Sequence, residues 1–223
     1  MGDNAQNAES SKGEIVEEDA PFPLTEVDKW VLSQTDEEFH LHNWDELREI
    51  IANNKLETLK RKPSDLRRYM AWTQATKAEY GSMTSYILQH RLPSSWGKPP
   101  FIPTSLVPFA SPSDYKILLN DWPYGLTKDI THIVVWSKTL IAVDEKTGDV
   151  TDESRRVIEA FVRRTFGERL AGERGVEDGD RMERVVWFKN WVTLQSVRAL
   201  EHVHVLVEGA SKEDLEFWTG EGR

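Results

Sequence analysis

The sequence predicts an α+β fold: an antiparallel sheet with a packed helix, preceded by a helical N-terminal region. Three observations carry that expectation. The stretch RVVWFKNWVTLQSVRALEHVHVLVE, Arg184 to Glu208, sets two apolar runs around a polar segment and reads as two strands with a connection. Upstream, YKILLN, the turn DWPYG and HIVVWSK read as another strand pair. Between the pairs lies TDESRRVIEAFVRRTFG, with Val157, Ile158, Phe161 and Val162 at helical spacing, so the order is helices and then ββαββ.

The totals bound the protein class. A chain of 223 residues makes one domain of ordinary size, and nine Trp and eight Phe supply large apolar groups for its core. With no Cys, a disulfide, a thiolate metal site and a cysteine nucleophile are excluded. No apolar run approaches the ~20 residues of a membrane span, and no signal-peptide core opens the chain. A soluble cytoplasmic protein without membrane contact is expected, with the nucleus left open. The net charge of −10 argues against a nucleic-acid partner. A mononucleotide needs only a local group of donors, for which Lys138, Lys189 and Arg198 are candidates.

Taken in order, residues 1–20 are polar, acidic and nearly free of apolar side chains, so a disordered tail is expected. Residues 21–92 read as helical. Asn43 with Glu46 three residues later resembles a capping box before Leu47, Ile50 and Ile51. A second helix is expected from Ser64, with Pro63 as breaker, one side marked by Leu66, Tyr69, Met70, Thr73 and Lys77, and Gly81 at its end. Residues 93–113 hold six prolines and read as a connector packed over the fold through Trp96, Phe101 and Phe109. Residues 114–223 contain the ββαββ unit. Its helix is expected to end at Gly167, ERLAGERGVEDGDR to be a charged loop, and SKEDLEFWTGEGR to close with one helical turn.

Chemistry-bearing residues concentrate in this last unit. On a strand over HVHVLV, His202 and His204 share a face, about 7 Å apart by strand rise. A polar sheet face or a satisfied buried pair would explain them as well as a metal-ligand pair or a nucleophile with its helper. Asn120, Trp122 and Tyr124 in NDWPYG read equally as a structural corner and as the wall of a pocket for a planar ligand. His132 opens the next strand and reads first as a packed residue. His40 and His42 also form a His-x-His, in polar sequence before a helix start, and Arg61, Lys62, Arg67 and Arg68 read as a solvated basic face.

These pieces carry two resemblances. Asn120, Pro123, Tyr124 and HIVVWSK, the helix opening at Thr151 to Glu153, and then Asn190, Gln195, Ser196 and LEHVHVLV are similar to the strand pair and terminal segment of histidine-triad (HIT) proteins. More extensively, NDWPYG, HIVVWSK, KRKPSDLRRYMAW, EYGS, FKN and LQSVRALEHVHV resemble the fungal N-acetylglucosamine-induced protein 1 family, a domain of unknown function. The HIT resemblance implies a HIT-like sheet and a nucleotidyl or phosphoryl hydrolase or transferase acting on a nucleotide or sugar nucleotide. His202 then falls on the middle, nucleophilic histidine and His204 on the last, while the first position is Leu200. Ser196 is implied as a third catalytic group. Asn120, Trp122, Tyr124, His132, Lys138, Lys189, Asn190 and Gln195 are implied as ligand-binding.

Two alternatives stand beside this reading. A non-catalytic nucleotide- or sugar-phosphate-binding regulator is motivated by Leu200. A His-ligated metal enzyme would use His202 and His204 with His132 or a carboxylate. No cofactor is expected beyond a divalent metal in that last case, and a homodimer is left open.

Overall fold

The computed structural model describes residues 20–172 and 182–221. The expected tail, and most of the expected charged loop after Gly172, lie outside them. The sheet is four-stranded and antiparallel, built from β1 (Tyr115–Leu119), β2 (Ile130–Ser137), β3 (Val185–Phe188) and β4 (Glu201–Glu208) in the order β1-β2-β4-β3. The register sets Trp136 opposite His202, Val134 opposite His204 and His132 opposite Leu206. Strand alternation then sorts the side chains into two faces.

One face carries Ile117, Ile133, Val135, Val203 and Val205, packed with Phe109 against Ile158, Phe161 and Val162 of α5 (Asp152–Val162). Thr151 starts this helix by accepting the Ser154 backbone N–H. It does not end at Gly167 as the sequence reading expects. A π-turn over Arg163–Gly167 leads directly into α6 (Glu168–Gly172), so the first part of the expected charged loop is helical. The wider turn changes the helix phase, and Phe166 and Leu170 join the same core. At the C-terminal end, α7 (Lys212–Thr219) runs two turns instead of one. Ser211 and Asp214 close a capping box there, and Trp218 is buried with its Nε1–H donating to Thr165 O at 2.9 Å.

The opposite face carries Leu118, Val134, Trp136, His202, His204 and Leu206, and the N-terminal elements cover it. These are α1 (Glu26–Leu32), α2 (Trp44–Ala52), α3 (Pro63–Tyr80) and α4 (Met83–His90). Asn43 and Glu46 form the expected capping box on α2. α3 includes Pro63 as its first residue, where the missing N–H has no helical partner to lose. Its buried side is Leu66, Tyr69, Met70 and Thr73. Lys77 instead lies on the surface, its Nζ donating to Pro21 O at 2.7 Å. Met83 and Ile87 of α4 pack with Leu118, Val134 and Trp136, while Trp44 and Leu47 of α2 pack with Phe188 and Leu206. The sheet is therefore covered on both faces, and its histidines lie inside the molecule.

Candidate functional site

Between the second sheet face and α3–α4 lies a cavity of about 790 Å3. His202, His204 and Trp136 form part of its floor, Tyr69, Trp72 and Tyr86 face them from the helices, and Asn120, Trp122, Tyr124, Asn190 and the segment 193–199 close its sides. That volume falls in the range that holds a small organic ligand.

His202 and His204 stand on alternate positions of β4 with ring centroids 5.3 Å apart, and only 6% and 7% of their surface is exposed. The expected pair is thus on one face and largely enclosed. His202 Nδ1 lies 2.8 Å from the carbonyl of Leu200, an atom that can only accept, so Nδ1 carries the hydrogen. Nε2 of the neutral ring keeps its lone pair, with no hydrogen-bond partner among the described residues. Burial pushes His202 down to about 4, against the opposing effect of the Leu200 carbonyl and with a smaller contribution from the Lys189 charge. The ring is uncharged at neutral pH.

His204 belongs to a buried chain of polar groups. Its Nδ1 lies 2.9 Å from His132 Nε2, and its Nε2 lies 3.2 Å from Asn190 Nδ2, which also donates to Tyr124 Oη at 3.1 Å. The chain ends at Asn120, whose Nδ2 is 3.1 Å from His132 Nε2 and whose Oδ1 accepts the Trp122 N–H at 2.9 Å. His132 is therefore more than a packed residue: it sits one layer behind the cavity and positions His204. Burial holds His132 at about 3 and His204 well below the ordinary imidazole range. NDWPYG is a structural corner, with Asn120 Oδ1 closing the turn and its amide holding His132, and Asn120, Trp122 and Tyr124 also line the cavity. One buried polar atom of this group, Asn190 Oδ1, has no partner among the described residues.

The remaining site residues divide. Gln195 lines the cavity and donates to Asn190 O at 2.7 Å, and Ser196 lines it from an exposed position. Neither Lys138 nor Lys189, expected among the ligand-binding residues, lines the cavity. Lys138 is held 2.9 Å from the buried Asp114 carboxylate, and Lys189 lies 3.3 Å from Glu201. Opposite charge captured each within the fold. Arg198 does line the cavity, exposed and with no partner among the described residues.

The sequence reading missed the helical wall altogether. Arg61, expected on a solvated basic face, turns inward: its Cζ lies 4.0 Å from the Tyr69 ring centroid and its Nε–H donates to Trp122 O at 3.1 Å. Trp72 packs on Trp122 at 5.2 Å and on Tyr86 at 5.3 Å. The apolar stripe of α3 was visible in the sequence, but nothing local says which surface it covers. His40 and His42 stand apart from the cavity.

Among known proteins, the chain is 31% identical over 181 residues to N-acetylglucosamine-induced protein 1 of Candida albicans, covering 74% of this chain and 67% of that protein. It is 28% identical over 177 residues to the uncharacterized protein YPL067C of Saccharomyces cerevisiae, covering 79% and 84%. The crystal structure of HTC1 superposes with a TM-score of 0.61 at 25% identity, over 80% of this chain and 93% of that one. Residues 43–208 match the family described as protein of unknown function DUF3605. With both strand pairs, the enclosed histidines and most of the helical wall inside that match, the chain belongs to the DUF3605 family.

Proposed function

We propose that the cavity binds a nucleotide or sugar nucleotide and that His202 acts on its phosphorus, in the manner implied by the HIT resemblance. The observation that carries this reading is the state of His202. A buried, uncharged imidazole on the cavity floor has one nitrogen tied to a backbone carbonyl and the other without a hydrogen-bond partner among the described residues. That is the arrangement a nitrogen nucleophile requires.

In the proposed reaction His202 Nε2 attacks the α-phosphorus, an Nε2–P bond forms, and the bond from phosphorus to the leaving oxygen breaks. The leaving group departs with the electron pair. Water then attacks phosphorus and returns Nε2 to its starting state, releasing its proton to solvent. Trp72 and Trp122 offer faces for a planar base, and the exposed Arg198 guanidinium suits a phosphate at the rim. Ser196 and the neighbouring backbone N–H groups are candidate donors to the developing charge.

Leu200 is 2% exposed and offers no proton to the departing oxygen, which favours leaving groups that depart as stable anions, such as phosphates. The same leucine supports a second reading, a regulator that binds such ligands without turning them over. A panel of nucleoside phosphates and sugar nucleotides tests both, with calorimetry for binding and phosphorus NMR for turnover. The enzyme reading expects one compound to be consumed, with kcat at least ~10³-fold lower in His202→Ala and Kd changed by no more than about fivefold. Binding without turnover supports the regulator. If no member binds, both readings fail.

A further inference from the structure

Outside the cavity, a second group of ligating side chains lies where extended chain enters α2. His40, His42 and Glu46 each offer one donor atom, and these atoms lie within 4.8 Å of one another. We propose that these three residues bind a divalent transition-metal ion of the zinc class. The reading is independent of whatever the cavity holds.

Glu46 is the anionic ligand. The Asn43 backbone N–H donates to its Oε2 at 3.0 Å and so orients the carboxylate. His42 Nε2 lies 3.4 Å from Thr58 O, which only accepts, so the neutral ring carries its hydrogen there. Its Nδ1 lone pair then faces Glu46 Oε2 at 3.8 Å. A lone pair and a carboxylate repel at that distance, and either a proton on Nδ1 or a cation held between them removes the repulsion. Metal-bound imidazoles are commonly arranged in this way, the second nitrogen anchored to a carbonyl.

His40 supplies the third donor: its Nε2–H bonds both Glu46 oxygens, at 2.8 and 2.9 Å, and the ion takes the place of that hydrogen once the ring carries its proton on Nδ1. The two histidines alternate along extended chain, so both reach the same side while Leu41 turns away. A tetrahedral zinc ion with bonds of about 2.0–2.1 Å needs donors about 3.3 Å apart. The exposed His40 side chain provides the small closure this requires. Two imidazoles and one carboxylate suit zinc, copper or nickel better than magnesium or calcium, and the exposed side of the group leaves room for water as fourth ligand. Bound there, the ion ties this segment to the turn at Thr58. It also braces the Gly125 loop, whose carbonyl accepts the His42 N–H at 3.1 Å.

The test uses the untagged full chain, stripped with a chelator and titrated calorimetrically with zinc chloride. Expected is one equivalent bound with micromolar or tighter affinity. His40→Gln and His42→Gln each weaken it at least tenfold, while His202→Gln leaves it within about twofold. Zinc raises the melting temperature of the parent chain and not that of either weakened variant. The His variants are chosen because removing Glu46 would also remove a helix cap. Absence of binding at about 100 μM zinc overturns the proposal. So does binding that survives both His40→Gln and His42→Gln, or loss confined to His202→Gln, which would move the ion to the cavity.

Discussion

His202 differs from an ordinary histidine because its surroundings keep it neutral far into acid. Burial lowers its pKa to about 4, so its Nε2 lone pair is present at every pH above roughly 5. If His202 is the nucleophile, kcat for a consumed nucleotide shows no acid limb between about pH 8 and pH 5 and falls only near pH 4. A limb near pH 6.5 would assign the chemistry to a solvated histidine instead. Asn190 yields a stability prediction, since it partners both His204 Nε2 and Tyr124 Oη inside the protein. Asn190→Leu leaves two buried polar atoms without a partner and costs about 1–3 kcal/mol, read from the urea midpoint. At this scale the sequence was partly legible. Alternation announced that His202 and His204 share a face. The link from His132 to His204 was not announced, because it is a diagonal contact created by the β2–β4 register. Lys138 misled because its partner, Asp114, precedes it by two strands and is brought alongside only when β1 and β2 pair.

Elements were legible where caps and periodicity agree, as at Asn43, and illegible where a helix changes its pitch. Nothing in RRTFGERLAG marks the π-turn, and Gly167 reads as a stop although the chain continues through it. Space is short at the corner before β2. A Cβ built on Gly125 would lie 2.4 Å from Phe39 Cε1 and 3.3 Å from Lys60 O. Gly125→Ala is therefore expected to destabilise by about 1–3 kcal/mol, and Phe39→Leu in the same chain to recover part of the loss. Thermal melts of the single and double variants check this; an unchanged melt for Gly125→Ala would mean the corner is looser than its contacts imply. Ser211→Ala, which removes the α7 cap, costs about 1 kcal/mol by the same measurement.

Over the whole molecule, three enclosed histidines link folding to pH. Their folded pKa values are depressed, so the unfolded chain binds more protons as the solution acidifies, and stability falls as pH drops. The loss begins near the unfolded value of about 6.5 and continues to about 4 for His202 and about 3 for His132, at up to about 1.4 kcal/mol per pH unit for each imidazole. Asp114 acts in a lower window. Burial alone would raise its carboxyl, but backbone N–H groups of Thr104 and Ser105 and the Lys138 ammonium outweigh that and hold it at about 2. The stability it provides is present above about 4 and disappears toward 2. Denaturant titrations across pH 7 to 4 should thus show a steep fall that is shallower in His132→Asn, while Asp114→Asn changes the curve chiefly below 4. A flat profile above pH 4.5 would mean the imidazoles are solvated. The sequence foretold strands and helices one by one; it held no sign that the N-terminal helices cover the histidine face, since α2 reaches β3 and β4 across more than a hundred residues and α4 packs on β1 and β2 without any local signal.

Because the floor of the cavity comes from strands and its ceiling from α3 and α4, the two can drift at different speeds. Substitutions at Tyr69, Trp72 or Tyr86 would reshape what is admitted while leaving His202 and its carbonyl tether intact. Relatives sharing the sheet need not share a ligand, and a substrate found for one of them should be transferred to another only after comparing the helices.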